Sequence, residues 1–470
     1  MYNYRYCYSL LLLLVLSVSS CRKFVELEPQ GRVIPKTIDD YKLLLNNDAV
    51  FNLSHGTTDF VTDDIAMLDD NLIDGFQESN LMIYKWTEQF YQANEDDPEW
   101  NLYYKQIYTA NVIIQGISEI KGGDEKPKTE LIAAAKVHRA YAYFGLVNMY
   151  AKQYAPASAA TEPGVPLLIE PDYTQVLKRA SVAEVYGLIV SDLEAGVADL
   201  VPLPRVKNYT SKAAAYALLA RTYLQMGNYQ AALTNANLCL GLQSAVFDLN
   251  PYYTGSGPMG WMDGFSLPQS QDNAEVIFIK VSFNGGENLP LSPELLNVLG
   301  TKDLRRHFFT YEVPATGDPV GLFENPGTYH AYWAPFETKS GTIQEGPTVP
   351  EMMLIKAECL ARTQHGQDGL AVVNQLRKFR FRTADYTTLA AGNDEAALSL
   401  ILEERRRELF AKGFRLFDLK RLNADPKFAK TITHPLKTQQ LTLAPGSNRY
   451  VYPIPPKVVN NNKGMIQNQR

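Results

Sequence analysis

The sequence predicts a mainly α protein of tetratricopeptide-type helical pairs interrupted by one loop-rich region. Three observations carry that expectation. Residues 211–242, SKAAAYALLARTYLQMGNYQAALTNANLCLGL, read as a helix, a Gly-Asn turn and a second helix. Ala217, Ala220 and Tyr223 line the first helix, and Gly227, Tyr229 and Ala232 open the second, the small-residue pattern of such repeats. A weaker half-match recurs at 350–380, PEMMLIKAECLARTQHGQDGLAVVNQLRKFR. Between them, residues 243–349 are rich in Gly, Pro and aromatics, with few helical runs. A long irregular stretch inside a helical frame is either functional or disordered, and its aromatics argue against disorder. One repeat cannot bury its apolar face alone, so several should stack into a solenoid.

The chain opens MYNYRYCYSLLLLLVLSVSSC. The aliphatic run Leu10–Leu16 is shorter than the ~20 residues that a membrane-spanning helix needs. A basic Arg5, an apolar core and a small-residue exit describe an export signal. Its ending, Val18-Ser19-Ser20-Cys21, follows the pattern of bacterial lipoproteins. Residues 1–20 would be removed, and the Cys21 thiol would carry diacylglycerol through a thioether. Buried acyl methylenes, at ~0.8 kcal/mol each, would then tether the protein without spanning the bilayer.

The following hundred residues are mixed and broken by acid-rich turns, VTDDIAMLDDN and QANEDDPEW. Helices dominate afterwards. NLYYKQIYTANVIIQGISEI (101–120) places Tyr104, Ile107, Tyr108, Val112 and Ile113 at three- and four-residue spacing. ELIAAAKVHRAYAYFGLVNMY (130–150) does so with Val137, Tyr141, Phe144 and Asn148, and its alanines allow close helix approach. SVAEVYGLIVSDLEAGVADL starts with Ser181 and Glu184, a capping-box pair. EVIFIKVSF (275–283) reads as a short strand. In ILEERRRELFAKGFRLFDLKR (401–421), Glu403 would meet Arg406 and Arg407, and Glu404 would meet Arg407, so the charges pair locally. Leu402, Leu409 and Phe410 would face inward, and Gly413 would end the helix as a left-handed cap. The run is therefore expected to be a structural helix and turn rather than an anion site.

The formal charge of −6 is mild and interspersed, which leaves no nucleic-acid footprint. Tyrosine, at 28 residues, outnumbers Phe and Trp together and suits both cores and surfaces that grip polar ligands. With Cys7 in the signal and Cys21 acylated, Cys239 and Cys359 remain, expected as buried free thiols rather than a disulfide or zinc pair. HExxH, GxSxG and P-loop patterns are absent from the sequence. Asp63-Asp64 and Asp96-Asp97 read as solvated acidic loops rather than a glycosidase dyad. The six histidines form no close ligand pair, and no stretch matches an EF-hand, so neither an enzyme nor a metal cofactor is expected; Ca²⁺ stays open. Trp100 is assigned to the core, and Trp86 leans structural.

ILEERRRELFAKGFRLFDLKR resembles the signature of SusD-like (RagB/SusD) outer-membrane nutrient-binding lipoproteins. WNLYYKQIYTANVII, AKVHRAYAYFGLVNMY, GVPLL, RASVAEVYGLIVSDLEAG, KDLRRHF (302–308), EMMLIKAECLAR and YVYPIPPKVVNNNKGMIQN follow in the order of that family. The resemblance spans nearly the whole chain after Cys21, and it implies a single domain, 21–470, with about four helical pairs and a loop-rich ligand half, chiefly 243–349. It also implies oligosaccharide capture, peptide in some members, and delivery to a SusC-like TonB-dependent barrel transporter for which the protein acts as a lid. The implied place is the outer membrane, lipid-anchored and facing the cell surface. Surface-export signals in this group tend to be acidic directly after the cysteine. Here Arg22-Lys23 comes first and the acids only at Glu26 and Glu28, so lipidation is better supported than display on the outer face.

A pyranose stacks its C–H face on an aromatic ring and offers hydroxyls to amides, carboxylates or Arg. By that criterion Trp261, Trp333, Tyr252, Tyr253, Tyr329 and Tyr332 are the ligand-binding candidates, with Asp263, Asn284, Asn288 and His330 as polar partners. The competing expectation is that these aromatics only pin a long loop. Oligopeptide binding on the same architecture, a periplasmic tetratricopeptide scaffold and a lipid-anchored hydrolase are the alternatives in function.

Overall fold

The computed structural model describes residues 35–470 apart from 69, 173, 254–267, 283–288, 314–328 and 333–341. Four helices come first: α1 (Ile38–Leu45), α2 (Asp48–Phe51), α3 (Asp70–Gly75) and α4 (Glu78–Tyr84). The frame follows with α5 (Pro98–Glu119), α6 (Glu125–Tyr150), α7 (Val182–Asp199), α8 (Lys212–Gln225) and α9 (Tyr229–Leu242). After the irregular region it resumes with α12 (Val349–Arg362), α13 (Gly366–Arg377), α14 (Asp394–Leu409) and α15 (Arg415–Leu422). Neighbours in sequence are neighbours in space from α5 through α9. α9 then packs directly on α12, and α12 on α13 and α14, so the helical stack closes across the insert. This is the expected solenoid of helical pairs.

Local sequence explains the boundaries. Asp97 caps α5 with Pro98 at its first position, and the Ser181 hydroxyl accepts from the Glu184 amide at 3.2 Å in a full capping box before α7. Gly227, at φ +73°, makes the left-handed turn between α8 and α9. Close packing needs small residues: a Cβ at Gly145 on α6 would lie 2.4 Å from the Tyr103 ring of α5. The core takes in side chains from Tyr41 to Met465, Trp100 among them. Tyr108 departs from its expected role, being 42% exposed on the outer side of α5. Cys239 and Cys359 are buried free thiols, and burial pushes each up to about 12.

The insert holds α10 (Pro293–Leu299), α11 (Leu304–Phe309) and the antiparallel hairpin β4 (Thr310–Val313) with β5 (Tyr329–Tyr332). The expected strand at 275–283 forms only as Val281–Ser282 (β3), paired with Ile343–Gln344 (β6). Its backbone instead changes partner every few residues. Ile277 N–H donates to the Pro347 carbonyl, Ile279 N–H to Lys207 and Val281 N–H to Asn52, so no continuous ladder can form. Two other short pairs are β1 (Pro163–Pro166) with β2 (Arg179–Ser181), and β7 (Ile432–Leu436) with β8 (Gln439–Leu443). A last helix, α16, spans Pro456–Asn461.

The signature helix behaves differently from its local reading. Glu403 does pair with Arg407, and Glu404 lies 3.2 Å from Arg407. Arg406, however, reaches Asp64 at 2.7 Å and Glu294 at 2.6 Å, and Arg405 reaches Asp418 at 2.8 Å. Burial is the reason: a desolvated guanidinium needs every carboxylate within reach. The helix stops at Leu409, with Phe410 extended and Ala411 at φ +57°, so Gly413 (φ +75°) belongs to the turn before α15 rather than to the cap. Asp63 and Asp64 are likewise buried, not solvated. Arg415 and Arg406 hold Asp63 well below the usual carboxylate range against its burial. These interactions make 401–421 a tie between the frame, the N-terminal turn at Asp63-Asp64 and α10 of the insert.

Candidate ligand-binding site

Two surfaces offer the chemistry of a polar-ligand site. The first is an open cleft of about 560 Å³ between the start of α4 and the loop 89–96. Gln77, Gln89, Gln92, Glu95, Asp96 and Tyr91 contribute to its walls, and among the described residues no Lys or Arg lines it. The loop is fixed at both ends. Trp86 is buried, donates from Nε1 to the Val61 carbonyl at 3.0 Å and stacks on His434. Phe90 packs edge-on against Tyr452 under the Arg470 guanidinium, and Asp97 accepts from the Tyr150 hydroxyl at 2.6 Å. Between these anchors, Gln92 N–H donates to Glu95 Oε2 at 2.7 Å and makes a tight turn. Loop-borne groups on such anchors keep their geometry without needing a ligand.

The cleft pairs one half-buried ring with amides that both donate and accept. Burial, with the charges of Asp97 and Glu99 adding, holds the Tyr91 hydroxyl well above the ordinary tyrosine range, so it is a neutral donor and acceptor. Asp96 is exposed and sits 2.8 Å from Lys457, whose hydrogen bond lowers its carboxyl. Asp97 is buried and capping, pushed up to about 6 by burial, so this acidic pair serves structure, not a dyad. Sequence reasoning passed over Gln89 and Tyr91, which directly precede the acid-rich turn QANEDDPEW, and Gln92, which opens it. The signal that was present is the alternation of amides and rings in TEQFYQ after Trp86.

The second surface lies in the insert, where the candidates were expected. Tyr252 and Tyr253 form a ledge. The Tyr252 ring, 40% exposed, stacks on Phe247 with centroids 5.4 Å apart, and Tyr253 meets His307 of α11 edge-on at 4.8 Å. The Arg382 guanidinium covers Tyr253 at 4.7 Å. β4 leaves α11 directly, and its partner strand carries three candidates in register: Val313 with Tyr329, Glu312 with His330 and Thr310 with Tyr332. α11 thus links the ledge and the hairpin. Trp261, Asp263, Asn284, Asn288, Trp333 and Cys21 lie outside the described residues.

Among the described residues, no group of three or more His, Cys, Asp or Glu side chains could hold a metal ion, and no helix is long and apolar enough to cross a membrane.

A stack of helical pairs interrupted by a loop-rich insert defines a helical-repeat protein. The comparisons place it more closely. Residues 23–224 match a SusD-like family model described as starch-binding and associating with the outer membrane, and residues 348–470 match the SusD family model. The chain belongs to the SusD-like family. Between the two matches, 225–347 includes nearly all of the loop-rich insert. SusD-like protein P38 of Formosa agariphila is 25% identical over 383 residues, covering 69% of this chain and 72% of that protein. The fold is that of a putative sugar binding protein from Bacteroides vulgatus (TM-score 0.72, 20% identity, covering 93% and 99% of the two chains). It is equally that of a SusD superfamily protein from Bacteroides thetaiotaomicron (TM-score 0.68, 22% identity, 92% and 100%). Membership implies carbohydrate binding in an outer-membrane system.

Proposed function

We propose that this protein captures neutral oligosaccharides on the 77–96 cleft and the Tyr252–Tyr253 ledge. It then passes them to a SusC-like TonB-dependent transporter while tethered to the outer membrane by acyl chains on Cys21. The observation that carries the sugar reading is the lining of the cleft, three glutamines, carboxylates and a half-buried tyrosine, with no Lys or Arg among its described wall residues. Such a lining suits hydroxyls presented around an apolar ring face. Trp261, Trp333, Tyr329, Tyr332, Asp263 and His330 are the further ligand-binding candidates of the insert. Delivery and the lid role come from family membership, and the anchor from the Ser-Ser-Cys pattern at residues 19–21. Electrophoresis through gels loaded with neutral or anionic polysaccharide tests the reading. Retardation by a neutral polymer, weakened by Tyr91→Ala, is expected. Unchanged mobility in every neutral gel would remove it.

A further inference from the structure

The insert ledge is joined to the signature helix by a run of buried ion pairs that meets in one carboxylate. Glu408, on the last turn of α14, lies 2.6 Å from Arg305 Nη1 and accepts from Arg380 at 2.9–3.0 Å. Each arginine leads to one side of the ledge.

The first branch runs through Arg380. Its Nη2 also donates to Glu275 at 2.6 Å, and its Nη1 donates to the Phe247 carbonyl at 2.7 Å. Glu275 in turn accepts from the Phe247 amide at 2.8 Å, so both polar groups of that residue are held. The Phe247 ring is the one that stacks on Tyr252. The second branch runs through Arg305. It is the most enclosed arginine of the group, at 1% exposure, and it binds Asp303, Glu404 and Glu408 together. Asp303 caps α11, and α11 carries His307 against Tyr253. A small cavity of about 50 Å³ is lined by Phe247, Glu275, Arg305, Arg380 and Glu408, so the two branches share one interior.

We infer that Glu408 is a positioning residue for the ligand ledge: through Arg380 and Arg305 it sets the spacing of Tyr252 and Tyr253 from the helical frame. The physical reason is the rigidity of charge-assisted, forked hydrogen bonds away from water. Glu404 offers a comparison within the same helix. It binds Arg305 and Arg377 but not Arg380, so it serves the second branch alone. That the ledge meets a ligand rests on the function proposed above; that Glu408 sets its geometry does not.

Hydrogen exchange on the purified protein separates the two. Glu408→Gln keeps the shape and removes the charge. Exchange of the 247–253 and 304–313 amides should rise about tenfold over that of Lys212–Leu242, which lies outside the network. Glu404→Gln should speed 304–313 and spare 247–253. Arg380→Lys keeps a cation but not the fork; it should speed 247–253 alone, and it covers the case in which Glu408→Gln fails to fold. A uniform rise across all segments in these variants, or no rise at 247–253, would overturn the inference. Affinity for neutral oligosaccharides in the same variants reads the ligand role separately. Loosened exchange with wild-type protein that binds no sugar would uphold the positioning role and remove the functional one.

Discussion

Arg221 of α8 and Glu351 of α12 face each other as a two-pronged ion pair, Nε to Oε1 and Nη2 to Oε2 both at 2.7 Å, across 130 residues of sequence. The pair is buried, and the guanidinium also lies over the Phe414 ring at 4.6 Å. It therefore locks the helical stack shut where the insert leaves and returns. Removing one partner leaves a buried charge uncompensated. Glu351→Ala should cost about 3–5 kcal/mol in urea unfolding, well above the effect of breaking an exposed pair such as Lys427–Glu395.

Two glycines should answer oppositely to alanine. Gly145 faces the Tyr103 ring, whose hydroxyl is fixed 2.6 Å from His55 Nδ1, so the ring cannot retreat freely. Gly145→Ala should destabilise by about 1–3 kcal/mol through overpacking. Gly187 on α7 has open space beyond its Cα. Gly187→Ala should stabilise by about 0.5–1 kcal/mol through helix propensity. Thermal melts of both variants check the contrast.

Glu99 gives the fold a pH dependence of known sign. Burial, with the nearby Asp97 charge adding, pushes its carboxyl up to about 7 from an ordinary 4.5, although it accepts from Gly56 N–H, Thr57 N–H and the Thr57 hydroxyl. A carboxyl raised on folding takes up a proton between those values. Its contribution is fully present below about 4.5 and lost as pH rises through 7. Glu99→Gln should flatten the fall in stability across that window by on the order of 2–3 kcal/mol. Urea titrations at pH 4.5, 6 and 7.5 measure it; a slope equal to that of the wild type would contradict the assignment.

The helical frame was legible because periodicity and caps are local. Ser181 and Glu184, or Gly227 and Asn228, act within a few residues of themselves. The buried charges were not legible for the opposite reason. Arg406 meets Asp64 from 342 residues away, and nothing in EERRRE favours that partner over Glu403. Asp63-Asp64 looked solvated because acidic pairs usually are, yet Arg415 and Arg406 bury them. The 275–283 segment has strand composition but is shared among several partners, a property of the assembled fold. The cleft at 77–96 escaped notice because its amides sit in a stretch with turn composition, while Tyr252 and Tyr253 stood out as rings in a Gly- and Pro-rich insert.

Isothermal titration of the soluble protein lacking residues 1–21 tests the central claim most directly. The panel would hold neutral oligosaccharides, acidic oligosaccharides and oligopeptides, and the variants would be Tyr91→Ala, Tyr252→Ala, Trp261→Ala and Trp333→Ala. The account predicts micromolar-to-millimolar binding of a neutral oligosaccharide, weakened about two- to tenfold by Tyr91→Ala or by loss of an insert aromatic, as expected for one stacking ring. Binding of peptides with silence across all sugars would contradict it.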